Sequence, residues 1–442
     1  MNNNEHHVPA SSSYGYPAPQ ATMPVKEKRV FSTKEKLLLL VSLAVAILFD
    51  RLLIDYLFTT NSPRFYSAFW LCFLAVFYGF FWNRLRRNAI SWYLTGCVTV
   101  LCLWIFIFWD QIIFGDFAMI NYLVIPAVMM GLVIYMTGEF KLKETGKIAF
   151  AWLSGFFVKP FSGIPVFFEA AGASLFGEGK TKAKKAVAGA AIAFVLLLIL
   201  LPLLGSADRA FGYHLMQILS NWDFGSIVGH SIIVIIAFIL FYSFLWNVGF
   251  NTRNKEHKKI TAKIDTMITA IVLGSVTLLY VTFCVVQFTY LFAGAGLPGG
   301  ISYSEYAREG FAQTVVVCTI NLLIFGVFLH YGKRNKISIS LLIGLLTLTC
   351  IMLFSGFLRL GLYIDFYGMT WLRLLSAWFI IYLAVIVIIC AVRIWKENLP
   401  LIATGALILL GWYIVLGYIN PDGFVARYNE LLDYDAVMTI LR

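Results

Sequence analysis

Thr277–Phe311 reads TLLYVTFCVVQFTYLFAGAGLPGGISYSEYAREGF: the end of one long apolar run, a Gly-rich bend, and the charged start of another run. An apolar run of about 20 residues is what an α-helix needs to cross the hydrocarbon core of a bilayer. Glycine and proline in the bend interrupt both runs. Ser302-Tyr303-Ser304-Glu305 has the form of a capping box, so a helix should begin near Tyr303. The stretch therefore reads as two membrane helices joined on one side of a membrane.

The rest of the chain repeats this pattern. Applied throughout, the length rule predicts eleven spans, at 37–58, 64–82, 90–109, 117–137, 186–205, 227–250, 265–292, 311–331, 337–358, 374–394 and 401–419. The expected fold class is all-α, a polytopic membrane protein of about eleven transmembrane helices. Composition agrees: of 442 residues 60% are hydrophobic and 13% charged, against about 25% charged in soluble domains.

The net charge of +11 does not point to nucleic acid, because the basic residues sit in short loops rather than on one soluble surface. They follow the positive-inside rule instead. With the N-terminus in the cytoplasm, alternate segments gather 26 of the 34 Lys and Arg residues, among them Arg84, Arg86 and Arg87, then Lys333, Arg334 and Lys336. An odd number of spans keeps that alternation, so the C-terminus is expected outside the cytoplasm and the protein in the cell (inner) membrane. The first apolar run, from Leu37, reads as an uncleaved anchor.

Five regions follow. Residues 1–34 form a disordered cytoplasmic tail and 35–137 the first four spans. Residues 138–185 form a cytoplasmic connection broken by Pro160 and Pro165, with interfacial or re-entrant helices. Residues 186–419 hold seven spans, and 420–442 a short extracytoplasmic tail. The seven cysteines all fall in apolar segments, without zinc or CxxC spacing, and read as packing residues.

Ionisable residues inside spans are functional candidates by default. The first span carries Asp50, Arg51 and Asp55. Arg51 and Asp55 are four apart and able to pair, whereas Asp50 needs another partner or water. The bland alternative is snorkelling to the interface. Thr277, Tyr280, Cys284 and Gln287 form a semi-polar stripe on the seventh span, echoed by Thr314, Cys318 and Asn321 on the eighth. Such stripes usually bond neighbouring helices; a polar path between them is the sharper reading.

Glu305, Arg308, Arg359, Asp365 and Arg373 collect on the same expected outer side. They form either a rim of interfacial anchors or an outward pocket whose arginines hold an anionic lipid or envelope precursor. His214 and His230 lie at outer span ends, where a lone histidine is more often structural than catalytic. The GxGxxG match at Gly294–Gly299 follows a membrane helix rather than a strand and reads as a flexible bend. No Walker A, HExxH or GxSxG sequence occurs. No cofactor or metal is implied.

GSADRAF, QFTYLFAG with YSEYAREGF, RLGLYIDFYGMTWLRLL and NPDGFVARYN, in this order over roughly Ala186 to Asn429, resemble the bacterial membrane family filed as "domain of unknown function 4173". That resemblance implies a multi-span inner-membrane protein with no assigned activity, cofactor or substrate. Three function classes stay open: a non-catalytic signalling or partner-binding membrane component, a transporter or conduit, and an envelope enzyme acting on a lipid-linked substrate. The absent motifs weigh against the enzyme. The expected partners are the bilayer, an anionic lipid or envelope precursor, and a membrane or signalling protein.

Overall fold

The computed structural model describes residues 30–55, 63–108, 116–138, 140–176, 203–220, 224–251, 263–291 and 303–440, with isolated positions between 189 and 200. The elements are α1 (Thr33–Phe49) with a π-helical turn (Asp50–Ile54), α2 (Pro63–Phe81), α3 (Ala89–Ile107), α4 (Asp116–Thr137) and α5 (Thr145–Phe157). They continue with α6 (Lys159–Ser162), α7 (Ile164–Phe176), α8 (Arg209–Ser220), α9 (Phe224–Gly249) and α10 (Thr266–Leu291). The last five are α11 (Tyr303–Tyr331), α12 (Lys336–Tyr367), α13 (Trp371–Trp395), α14 (Leu401–Tyr418) and α15 (Pro421–Ile440).

Among the described residues ten helices are long and apolar enough to cross a membrane, and α5 with α6–α7, bent by 58°, makes up to eleven. These ten coincide with ten of the expected spans, and the protein is an all-α, multi-pass membrane architecture. The expected span at 186–205 lies largely outside the described residues. Region 138–185 holds the bent pair.

Near the end of the expected 1–34 tail, Ser32 caps α1: its hydroxyl accepts from the Glu35 N–H at 3.3 Å, and Glu35 accepts from the Ser32 N–H at 2.9 Å. At the other end, the expected tail 420–442 contains a helix of 20 residues, α15. A turn made by Asn420, at φ 54, sets it off from α14.

Two breaks in the helical backbone are served by side chains of neighbouring helices, as a membrane interior demands. Pro126 lies within α4 and has no N–H, so the Tyr122 carbonyl four residues earlier loses its helical donor. The Tyr66 hydroxyl of α2 donates to that carbonyl at 2.7 Å. The break between α5 and α7 is held in a similar way. Ser243 and Asn247 of α9 donate to the Lys159 carbonyl at 3.1 and 2.9 Å, and Ser243 Oγ accepts from the Gly163 N–H at 2.8 Å.

The core has two parts. One gathers α1–α4, α7 and α9 around Phe69, Phe77, Phe81 and Tyr242; the other gathers α10–α13 around Leu273, Cys318, Phe325 and Met352. Helix α14 is the seam between them. Toward the first part, the Gly417 carbonyl accepts from Trp104 at 3.0 Å and Tyr413 donates to Asn121 at 2.8 Å. Toward the second, Trp412 and Trp378 of α13 each donate to the other's backbone carbonyl, at 3.0 and 3.1 Å.

Contacts also collect the basic loops at one end of the bundle. Arg84 donates to the Gly249 carbonyl at 2.8 Å, and Lys143 to Asn398 at 2.7 Å. The chain entering α10 bridges the chain leaving α11 at Ile264 and Gly332, and Arg334 donates to the Ile394 carbonyl. Arginines there meet helix C-termini, where the backbone dipole favours a cation. We refer to this as the basic end.

Candidate functional site

The densest buried charge among the described residues lies at the far end of α1, away from the basic loops. There the helix widens into the π turn Asp50–Ile54, an insertion type frequent at functional sites. Asp50 is 1% exposed. Its Oδ1 lies 2.7 Å from Nδ1 of His230 on α9, and the other ring nitrogen, Nε2, lies 3.3 Å from Oδ1 of Asp55. The imidazole thus sits between two carboxylates that one turn of helix presents together. Arg51 flanks both, with Nε 3.8 Å from Asp50 and its guanidinium 3.7 Å from Asp55.

Antiparallel packing of α1 on α9 sets this register. At the basic end the Trp246 indole of α9 donates to Glu35 Oε1 at 3.1 Å. Glu35 and Asp50 are 15 residues apart and Trp246 and His230 are 16 apart, about 23 Å of rise on either helix. Each buried carboxylate of α1 therefore finds a donor on α9. Between them, the Phe49 ring meets Phe69 and Phe241 edge-on, with centroids at 5.6 and 5.7 Å. Aromatic contacts of this kind are worth about 0.5–1.5 kcal/mol beyond their burial.

The other residues singled out from the sequence divide among separate places. Arg373 donates to the Tyr367 carbonyl at 2.9 Å and to the Gly368 carbonyl, and stacks over the Tyr363 ring at 4.1 Å. It closes the C-terminus of α12. Asp365 accepts from the Tyr428 hydroxyl of α15 at 3.4 Å, and Arg359 is buried in α12 at 4% exposure. Glu305 and Arg308 lie in the first turns of α11 and Gln287 in the last turns of α10, with side chains outside the described residues.

The semi-polar stripes meet α12. Asn321 donates to Thr349 at 3.2 Å, and the Cys318 thiol lies 3.8 Å from the Thr349 carbonyl. A Cβ added at Gly344 would lie 3.9 Å from Thr277. So α12 meets the eighth-span stripe through the polar contacts of Asn321 and Cys318, and the seventh at the Thr277 methyl.

Two residues stand out that sequence reasoning passes over. Asn429 of α15 recognises one peptide unit at both ends: its Oδ1 accepts from the Met369 N–H at 2.7 Å and its amide donates to the Met369 carbonyl at 2.9 Å. Gly368 precedes it at φ 77, a left-handed conformation that suits glycine. His230 reads from the sequence as a lone histidine, because its carboxylate partner Asp50 lies 180 residues away at the end of another span. Among the described residues no group of three or more His, Cys, Asp or Glu is placed to hold a metal ion.

Residues 95–430 match the family described as Domain of unknown function (DUF4153). The chain belongs to that family. The sequence resemblance named a family of the same unknown-function kind under the number 4173; the match corrects the number and begins at residue 95 rather than near Ala186. No curated protein and no solved structure matches this DUF4153 chain. Asp50 and Asp55 precede the matched region, whereas His230, Asp365, Arg373 and Asn429 fall within it.

Proposed function

We propose that the protein is a non-catalytic, partner-binding component of a membrane, and that it engages a membrane or signalling protein through α15. The reading is carried by how α15 is seated. Asn429 grips the Met369 peptide, and Tyr428 reaches Asp365, so one side of the helix is fixed to the loop between α12 and α13. Its free side presents Phe424 and Leu431, 41% and 65% exposed, beside the exposed Arg427 and Glu430. Pre-ordered apolar anchors rimmed by charge suit protein recognition, because little ordering entropy remains to be lost on binding.

The enzyme reading draws no similar support. The Arg373 side chain it would use to clamp an anion is committed to backbone carbonyls and to the Tyr363 ring. On the positive-inside rule α15 lies on the non-cytoplasmic side, so the partner would be an envelope-facing protein.

The test is a photo-crosslinking residue placed at Phe424 or at Leu431 in native membranes. One discrete protein adduct at both positions, reduced several-fold by Asn429→Ala, is the expected result. Adducts to lipid alone, or a pattern indifferent to Asn429→Ala, would overturn the reading.

A further inference from the structure

We propose that Asp50, His230 and Asp55 form a proton-binding site that locks α1 to α9 when occupied. The site stands whatever α15 binds.

Hydrogen counting favours an extra proton, with Nδ1 hydrogen-bonded to Asp50 and Nε2 at ion-pair distance from Asp55. Both ring nitrogens of His230 face a carboxylate oxygen, at 2.7 and 3.3 Å. A neutral imidazole carries one N–H and one lone pair, so it can donate to only one of them. The second contact would then set a lone pair against a carboxylate. Both contacts become hydrogen bonds only when the group of three holds one more proton, as an imidazolium between two carboxylates or as a neutral ring beside one carboxylic acid.

Charged groups of both signs surround the site. The two carboxylates are flanked by Arg51 from the same turn. Helix α2, which packs against the turn, brings Arg64 as its charged residue there, and α9 brings no other Asp, Glu, Lys or Arg. Helix α8, which also packs on α9, carries Arg209 and an exposed His214; α7, on both α1 and α9, carries Glu169, and α4 and α6, also on α9, carry Asp116 and Lys159. With the extra proton, Asp50, Asp55 and His230 carry one net negative charge, which Arg51 at 3.8 and 3.7 Å offsets.

Burial sets the route. The Asp50 side chain is 2% exposed, whereas the Asp55 and His230 side chains are 25% and 26% exposed. On release the proton leaves His230 Nε2 for water on the Asp55 side, and Nδ1–H stays on the buried Asp50. The hydrogen bond that breaks is the one to Asp55, which the π turn holds beside α9. The loaded and empty states thus differ in how firmly the end of α1 is fastened.

Linkage fixes the sign. A folded state holding a proton that the unfolded chain lacks loses stability as pH rises. The thermal midpoint of the full-length protein in lipid nanodiscs would be followed between about pH 5.5 and 8.5, the range where histidine changes charge. Wild type should lose several degrees across this range relative to His230→Gln and Asp50→Asn. Parallel profiles would overturn the proposal.

If those variants fail to fold, Asp55→Asn decides, because its side chain is the more open of the two carboxylates: a flattened profile supports the site and a wild-type profile overturns it. In wild-type protein labelled with 15N-histidine, the His230 ring should carry hydrogen on both nitrogens at the acid end and lose it from Nε2 at the alkaline end. An unchanged ring across the range would also overturn it.

Discussion

Tyr66 and Pro126 form a pair that neither residue explains alone. The proline strips the Tyr122 carbonyl of its helical donor, and the tyrosine hydroxyl replaces it from the neighbouring helix. Tyr66→Phe should therefore cost about 1 kcal/mol, the scale of one hydrogen bond. In a Pro126→Ala background the restored N–H takes over the carbonyl, so the same substitution should cost much less. Equal costs in both backgrounds, measured by denaturant titration in one detergent, would break the link. Asp265 makes a second residue-scale case, at the basic end and outside the spans. The Met267 N–H, then Lys333 at 3.4 Å, hold its carboxyl below the ordinary value of 3.8. A lowered carboxyl contributes stability that is full above that value and is lost as pH falls through and below it. Wild type should thus melt above Asp265→Asn at pH 6 and converge with it below about pH 3.8. A gap that persists in acid would show that the difference has another source.

At the scale of elements, the bend between α5 and α7 depends on glycine for access rather than for conformation. A Cβ on Gly163 would stand 2.6 Å from Ser243 Oγ and 2.7 Å from Asn247 Nδ2, the two side chains that serve the broken backbone. Gly163→Ala should destabilise by about 1–3 kcal/mol, as overpacking does. Gly96→Ala in α3, with nothing within 4 Å of the added carbon, should be neutral or gain up to about 1 kcal/mol from helix propensity. Thermal midpoints in the reverse order would refute this account of the bend. The contrast shows what was legible in the sequence. Hydropathy located the spans because every lipid-facing turn must be apolar, and Pro160 and Pro165 announced a break. The helix that fills the break could not be read, since Ser243 and Asn247 lie about 80 residues downstream in an otherwise ordinary span. The Arg51–Asp55 pair was legible as a local spacing. The Asp50–His230 pair was not, because α1 meets α9 through tertiary packing alone.

The whole molecule is two packed groups of helices joined along α14, and its polar contacts on the two sides differ in kind. Toward α3 and α4 they are four separate bonds: Trp104 to the Gly417 carbonyl, Tyr93 to the Leu407 carbonyl, Tyr418 to the Val100 carbonyl and Tyr413 to Asn121. Toward α13 they are the Tyr382 bond to the Gly405 carbonyl and the reciprocal pair of Trp378 and Trp412, whose rings also lie 4.7 Å apart. Bonds between membrane helices average about 0.6 kcal/mol, while a ring contact adds about 0.5–1.5 kcal/mol. Removing two of the four bonds on the first side should then cost less than removing Trp412 from the second. Trp104→Phe with Tyr413→Phe should lower stability by about 1 kcal/mol, the sum of two separate bonds. Trp412→Ala loses a bond, a stacked ring and buried area together, so its cost should approach about 3 kcal/mol or more. Hydrogen exchange then tells which side gives way. In the double variant the amides of α3 and α14 should exchange faster by about fivefold or more, since 1.4 kcal/mol is tenfold, while those of α12 keep their protection. In Trp412→Ala the increase should extend into α13. If either variant raised exchange evenly through all the helices, the two groups would be one cooperative unit and α14 no seam.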